Sequence, residues 1–61
     1  MPTIAENSER IYILRETIRY YRTLKERGFR GSIAGLLDLL NIEIEQLEER
    51  NRELYHEAYR R

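Results

Sequence analysis

The sequence predicts an all-α protein, an antiparallel helical hairpin that dimerises into a four-helix bundle or coiled coil. Apolar residues recur at alternating steps of three and four in both halves of the chain, which is typical of amphipathic helices. Between the halves, Gly28 and Gly31 mark a turn. The chain has 61 residues, and a chain this short buries only about 60% of the surface that it exposes when unfolded. We therefore expect one domain over residues 1–61 that completes its core by self-association.

The first helix is predicted over residues 4–27. Thr3 and Glu6 have the spacing of a capping box, in which both side chains bond to free backbone amides at a helix start, and Asn7 and Ser8 are rival caps. A stripe of apolar residues follows at helical spacing: Ile11, Leu14, Ile18 and Tyr21. A second set widens the stripe to about half of the helix circumference: Ile13, Tyr20 and Leu24. One neighbouring helix cannot cover so wide a stripe.

A turn is predicted over residues 28–31. The run Arg27-Gly28-Phe29 fits a Schellman ending, with Gly28 in the left-handed C′ position and Phe29 folded back onto Leu24. Ser32 is the predicted N-cap of the next helix. Because the connection is short, the two helices are expected to run antiparallel.

The second helix is predicted over residues 32–60 and carries the most regular pattern in the chain. Eight residues follow one another at alternating steps of four and three and form a heptad seam along one face of the helix. They are Ile33, Leu37, Leu40, Ile44, Leu47, Asn51, Leu54 and Ala58. Asn51 is the one polar residue of this heptad seam, at a position where a buried amide fixes register and partner number. The alternative is a break at Asn41, which would give three helices and permit a helix-turn-helix. The unbroken spacing favours one helix.

Composition excludes several classes of function. The chain has no cysteine, so disulfides and thiolate metal sites are absent, and its net charge is zero, so no overall cationic field attracts nucleic acid. The amino terminus has neither the basic nor the apolar segment of a secretion signal, which predicts a cytoplasmic protein without a membrane partner. No pattern indicates a catalytic residue, a metal site or a cofactor, so we expect no enzyme. Glu53 and His56 have a spacing seen in di-iron proteins, but helical geometry turns both away from the seam.

The predicted function is that of a small homodimeric regulator or adaptor, which acts by binding another protein. The dimer core is predicted to consist of both stripes: Ile11, Leu14, Ile18, Tyr21, Leu37, Leu40, Ile44, Leu47, Asn51 and Leu54. A partner protein is expected to contact an acidic ridge and two tyrosines on the second helix: Glu45, Glu49, Glu53, Glu57, Tyr55 and Tyr59. Tyrosine suits such a half-wet interface position. Alternatively, Tyr55 and Tyr59 only cover Ile4.

Two other functions remain open from the sequence. Arg15, Arg19 and Arg22 form a stripe on the first helix, and guanidinium groups bind phosphates, which gives the alternative of binding structured RNA or a DNA backbone. The same arginines have a structural interpretation, because they can neutralise the acidic ridge within or between subunits. The second alternative is a purely structural oligomerisation element, whose heptad seam joins a larger assembly.

Overall fold

Two α-helices make up the part of the chain that the structure describes. The structure is a computed structural model that describes residues 2–29 and 31–59, with α1 over Ile4–Glu26 and α2 over Ala34–Ala58. The helices pack side by side in antiparallel orientation and form a rod 53 Å long and 16 Å across. No strand occurs in the described ranges. The all-α hairpin predicted from the sequence is confirmed.

A capping box begins α1, as the sequence predicts. The backbone N–H of Glu6 donates to Thr3 Oγ1 at 3.1 Å, and the backbone N–H of Thr3 donates to Glu6 Oε1 at 3.2 Å. Both side chains thus satisfy amides that have no partner within the helix. The rival caps Asn7 and Ser8 are wrong, because both residues lie inside α1.

A Schellman motif ends α1. The N–H of Phe29 donates to the carbonyl of Leu24, and the N–H of Gly28 donates to the carbonyl of Lys25, both at 3.1 Å. Gly28 has a φ of +90°, in the left-handed region that glycine adopts without steric cost. Arg27, the last residue of the predicted helix, is the C-cap of a helix that ends at Glu26.

The start of α2 differs from the prediction. Ser32 is not the N-cap: α2 begins at Ala34, its N-cap is Ile33, and no side chain bonds to its free amides. Ile33 is only 5% exposed. Burial of an isoleucine side chain contributes about 1.5–3 kcal/mol, whereas a serine cap contributes about 1 kcal/mol. Burial of Ile33 thus outweighs the cap and delays the helix start by two residues.

The α2 helix is continuous from Ala34 to Ala58, with Tyr59 as its C-cap, and residue 60 of the predicted helix lies outside the described residues. Asn41 sits within the helix and is exposed, so its side chain does not compete for the backbone. The three-helix alternative with a break at Asn41 is wrong.

The core between the helices is narrow. Four residues form its buried cluster: Ile11, Leu14, Ile18 and Ile44. Three half-buried leucines of α2 pack against them: Leu37, Leu40 and Leu47. Even Leu14, the most buried of the cluster, keeps 3% of its surface exposed. The hairpin alone therefore buries little apolar surface, and every contact between the helices accounts for a large share of its stability.

The left-handed conformation of Gly28 predicts the effect of adding a side chain there. We expect Gly28→Ala to lower the free energy of unfolding by about 1–2 kcal/mol, because an L-residue is strained at this φ although nothing lies within 4 Å of the added methyl. The matched control is Gly35→Ala, also in open space but inside α2, where alanine should add up to about 1 kcal/mol. Thermal unfolding measures both. Equal effects of the two changes would contradict the Schellman geometry.

Candidate interaction surfaces

A pair of asparagines joins the helices near the end of the hairpin opposite to the turn. The side-chain amide of Asn7 donates from Nδ2 to Asn51 Oδ1 at 3.0 Å, and Asn51 Nδ2 donates to Ser8 Oγ at 3.3 Å. Asn7 is only 4% exposed and Asn51 is half-buried. Since a buried amide without a partner is costly, this pairing favours one alignment of α1 against α2.

The sequence predicts a special position at Asn51 but assigns it to a seam between subunits. In the structure the amide of Asn51 is bonded to α1 of the same chain. The sequence predicts Asn7, the partner of Asn51, only as a rival cap of the first helix. The signal was present, since Asn7 precedes Ile11 by four residues and Leu14 by seven, and so extends the apolar stripe.

Two ion pairs between the helices identify the two sides of the hairpin. Arg10 Nε lies 2.9 Å from Glu43 Oε2, and an Arg15 guanidinium nitrogen lies 3.4 Å from Glu48 Oε2. On α1, a step from residue 10 to residue 15 turns the side chain by about 140°. The two pairs therefore flank the core on opposite sides. Both are largely exposed, so each contributes at most about 1 kcal/mol.

The polar side, which contains the Arg15–Glu48 pair, is a shallow groove with an apolar floor. Residues of both helices line it: Arg15, Ile18, Arg19, Arg22, Asn41, Ile44, Glu45 and Glu48. The three arginines of the sequence-predicted stripe thus lie together, as expected for steps of four and three residues. Two carboxylates share the same groove, so its positive charge is largely offset.

The arginine stripe is only partly paired. Arg19 lies 3.8 Å from Glu16 on its own helix, and this contact is highly exposed. Arg22 has no carboxylate within 4.0 Å among the described residues. The cross-helix acids, Glu43 and Glu48, are not members of the predicted acidic ridge.

The acidic ridge is partly neutralised from within α2. Glu49 pairs with Arg52, and Glu53 pairs with Arg50 at 3.0 Å. The hydrogen bond from Arg52 to Glu49 raises the pKa of the Arg52 guanidinium, which is charged at neutral pH in any case. Glu45 lines the polar groove, and Glu57 lies beside the tyrosines near the end of α2. The ridge is thus an exposed face of mixed charge.

The opposite side, which contains the Arg10–Glu43 pair, is apolar near the turn. We define this apolar side by the residues that follow Arg10 on α1 or precede Glu43 on α2 at helical spacing: Ile13, Thr17, Tyr20, Tyr21, Leu24, Leu36, Leu39 and Leu40. Leu39 is 66% exposed, and Ile13 and Tyr20 are also exposed. The hydroxyl of Thr17 donates to the carbonyl of Ile13 at 2.8 Å. The hydroxyl of Thr17 therefore has a hydrogen-bond acceptor within α1.

Tyr55 and Tyr59 lie on one face of α2 at the end opposite to the turn. Their rings are 4.5 Å apart between centroids and tilted by 38°, and both side chains are exposed. With His56 and Glu57 they line a shallow depression. They therefore leave considerable aromatic surface in contact with water.

The sequence-predicted dimer core lies mostly between the two helices of one chain. Ile11, Leu14, Ile18 and Ile44 are buried there, so they keep almost no surface for a second copy. The other members are half-buried and retain some: Tyr21, Leu37, Leu40, Leu47, Asn51 and Leu54. Tyr20 of the widened stripe is exposed and packs edge-on against Tyr21, with ring centroids 5.6 Å apart.

Glu53 and His56 are both exposed, and no group of three or more potential metal ligands occurs among the described residues. Within the described part of the chain, neither helix has an apolar stretch long enough to cross a membrane.

Removal of one asparagine of the pair should lower the free energy of unfolding more than removal of both. We expect Asn51→Leu to lower the free energy of unfolding by about 1–3 kcal/mol, because it leaves the buried amide of Asn7 without its acceptor. In the double variant Asn7→Leu/Asn51→Leu, two leucines replace the polar pair, and most of this loss should be recovered. Urea unfolding at one fixed protein concentration compares the variants. A single variant as stable as the unmodified chain would show that the pair does not hold the helices together.

Comparison with known proteins gives no significant match. No protein-family model and no curated protein matches the sequence, and no solved structure matches the hairpin. The function proposed below therefore rests on the surfaces of the hairpin itself.

Proposed function

We propose that this chain is a non-enzymatic, homodimeric helical hairpin that acts as a regulator or adaptor by binding another protein. The observation that carries the proposal is the apolar side. It exposes the side chains of Ile13, Tyr20, Leu36 and Leu39 beside a core whose buried cluster has only four residues. Exposed apolar areas of this kind mark protein interaction sites.

A second copy of the chain fits this side best. Two identical apolar sides placed face to face are complementary by two-fold symmetry, and they produce the four helices of a bundle. The hairpin side is 53 Å long and 16 Å wide, so it is large enough to hold an interface of standard size, roughly 800 Å² per partner. Half-buried Leu24, Leu40 and Tyr21 would become core residues in such a dimer.

The dimer leaves the back of α2 free for another protein. This face presents the acidic ridge, with Glu45, Glu49 and Glu53 beside the exposed side chain of Ile42. The exposed rings of Tyr55 and Tyr59 lie near the carboxyl end of α2, seven and eleven residues after Glu48 and therefore on the polar side of the hairpin. We propose that these residues contact the partner protein, which would meet a surface of mixed charge because Arg50 and Arg52 pair with Glu53 and Glu49.

The polar side supports nucleic-acid binding less well. Arg15, Arg19 and Arg22 lie in a groove that Glu45 and Glu48 also line, so a phosphate there would approach two carboxylates. Retardation of a structured RNA that is abolished by Arg19→Glu/Arg22→Glu would favour this alternative. A purely structural role would instead produce assemblies larger than a dimer.

A charge on the apolar side should separate the dimer without unfolding the hairpin. We expect Leu39→Glu to raise the dimer dissociation constant at least tenfold, because Leu39 is 66% exposed in the hairpin and its replacement leaves the core between the helices intact. The matched control is Tyr12→Glu, which changes a side chain of 65% exposure beside Arg15 on the polar side. Light scattering coupled to size-exclusion chromatography gives the mass of each variant.

The control variant should remain dimeric, and both variants should keep the helical circular dichroism of the unmodified chain. The assignment of the interface to the apolar side is wrong if Tyr12→Glu separates the dimer and Leu39→Glu does not. A monomeric unmodified chain over the accessible concentration range excludes the homodimer.

A further inference from the structure

The groove on the polar side contains an arginine without a counter-charge. Arg15 and Glu48 form the ion pair that bridges the helices there, at 3.4 Å. Since seven residues make about two helical turns, the equivalent positions one heptad nearer the turn of an antiparallel hairpin are Arg22 and Asn41. Both residues line the same groove as the ion pair. Opposite Arg22, the second helix thus provides an amide in place of a carboxylate.

The polar groups at this end of the groove are available to a ligand. Arg22 has no carboxylate within 4.0 Å among the described residues, and the side-chain amide of Asn41 forms no hydrogen bond with them. Arg19 has one ion-pair contact, at 3.8 Å within its own helix, and 79% of its side chain is exposed. Glu26 and Asp38 lie about one helical turn away, but neither forms an ion pair within the described ranges.

The charge of the groove fits one carboxylate better than a polyanion. Three arginines and two glutamates line the groove, so its formal charge is +1. Arg15 and Glu48 neutralise each other, which leaves Arg19 and Arg22 against Glu45. A single carboxylate compensates this remaining charge and accepts the parallel hydrogen bonds that a guanidinium donates. A nucleic-acid backbone would instead bring several phosphates close to the two glutamates.

We propose that Arg19, Arg22 and Asn41 form a carboxylate site, which binds an acidic side chain of the partner protein. This inference rests on the proposed binding of another protein and adds the chemistry of the partner segment. It does not depend on the homodimer, because the polar side lies opposite to the proposed dimer interface.

Glu45 adds a second requirement for the partner. It follows Asn41 by four residues, so it lies one turn, about 6 Å, further along the same face of α2. Glu45 also belongs to the acidic ridge, and it has no ion pair within 4.0 Å in the described part of the chain. A partner segment with an acidic residue at the carboxylate site and a basic residue about one turn away matches both charges.

Acetate, a free carboxylate, is the probe that tests the site. The ¹⁵N-labelled unmodified chain is titrated with sodium acetate, and sodium chloride at the same ionic strength is the reference. Nuclear magnetic resonance follows the Nε–H signals of the arginines and the side-chain amides of the asparagines. We expect saturable shifts at Arg22 and Asn41. Little change is expected at Arg10, whose Nε–H already donates to Glu43 at 2.9 Å.

Two substitutions of Asn41 form a matched pair, since its side chain is exposed on the surface of α2. Asn41→Glu supplies a carboxylate at the position opposite Arg22 and should weaken acetate binding about fivefold or more. Asn41→Gln keeps an amide and should leave the binding nearly unchanged. Circular dichroism checks that both variants remain helical.

Equal shifts at Arg10 and Arg22 would overturn the carboxylate site, as would acetate binding that Asn41→Glu leaves unchanged. Inorganic phosphate that binds about tenfold more tightly than acetate at the same ionic strength would also overturn it and would assign the groove to phosphate groups. Sedimentation of the same samples gives their mass. A monomeric chain that still binds acetate would refute the homodimer and support the site.

Discussion

A helix in a two-helix hairpin has one neighbour, and this constraint determines most features of the molecule. Each helix can bury only the stripe that faces its partner, and here that stripe provides one small cluster around Leu14 and Ile44. The apolar surface of both helices is wider than this contact. Ile13 and Tyr20 on α1, with Leu39 on α2, consequently remain exposed on one side of the rod. The proposed dimer follows from this excess of apolar surface.

Polar contacts determine how the two helices are aligned. The Asn7–Asn51 hydrogen bond, together with two exposed ion pairs that flank the core, joins pairs of residues that are far apart in sequence. Their individual contributions are small, but an altered register would leave the buried amide of Asn7 without its acceptor. A change of register between the helices can still bring similar apolar side chains into contact, but it separates the two amide groups of an asparagine pair. The polar contacts thus add specificity to a core that supplies most of the stability.

Local signals allow prediction of most of the fold. The capping box at Thr3, the Schellman motif at Gly28 and the continuous heptad spacing through Asn41 depend on nearby residues, and all three are present in the structure. The prediction of Ser32 as a cap is wrong because tertiary burial of Ile33 competes with it. Local sequence patterns do not contain that competing contribution.

The candidate surfaces are less predictable than the helices. Periodicity places Asn51 in a seam, but it does not show which helix faces that seam, so the pairing with Asn7 required the structure. Likewise, the spacing of Arg15, Arg19 and Arg22 predicts a shared face, whereas the carboxylates that line the same groove come from α2. The position of one helix against another depends on tertiary packing. The division of the hairpin into a polar and an apolar side could therefore not be read from either helix alone.

The central claim is that the hairpin completes its core with a second copy of itself. Thermal unfolding of the unmodified chain at protein concentrations spanning about three orders of magnitude tests it most directly, because association stabilises the folded state by mass action. The midpoint should rise steadily with concentration, as for a folded dimer that dissociates when it unfolds. A midpoint that is the same at every concentration would contradict the claim and would mean that the hairpin is stable as a monomer.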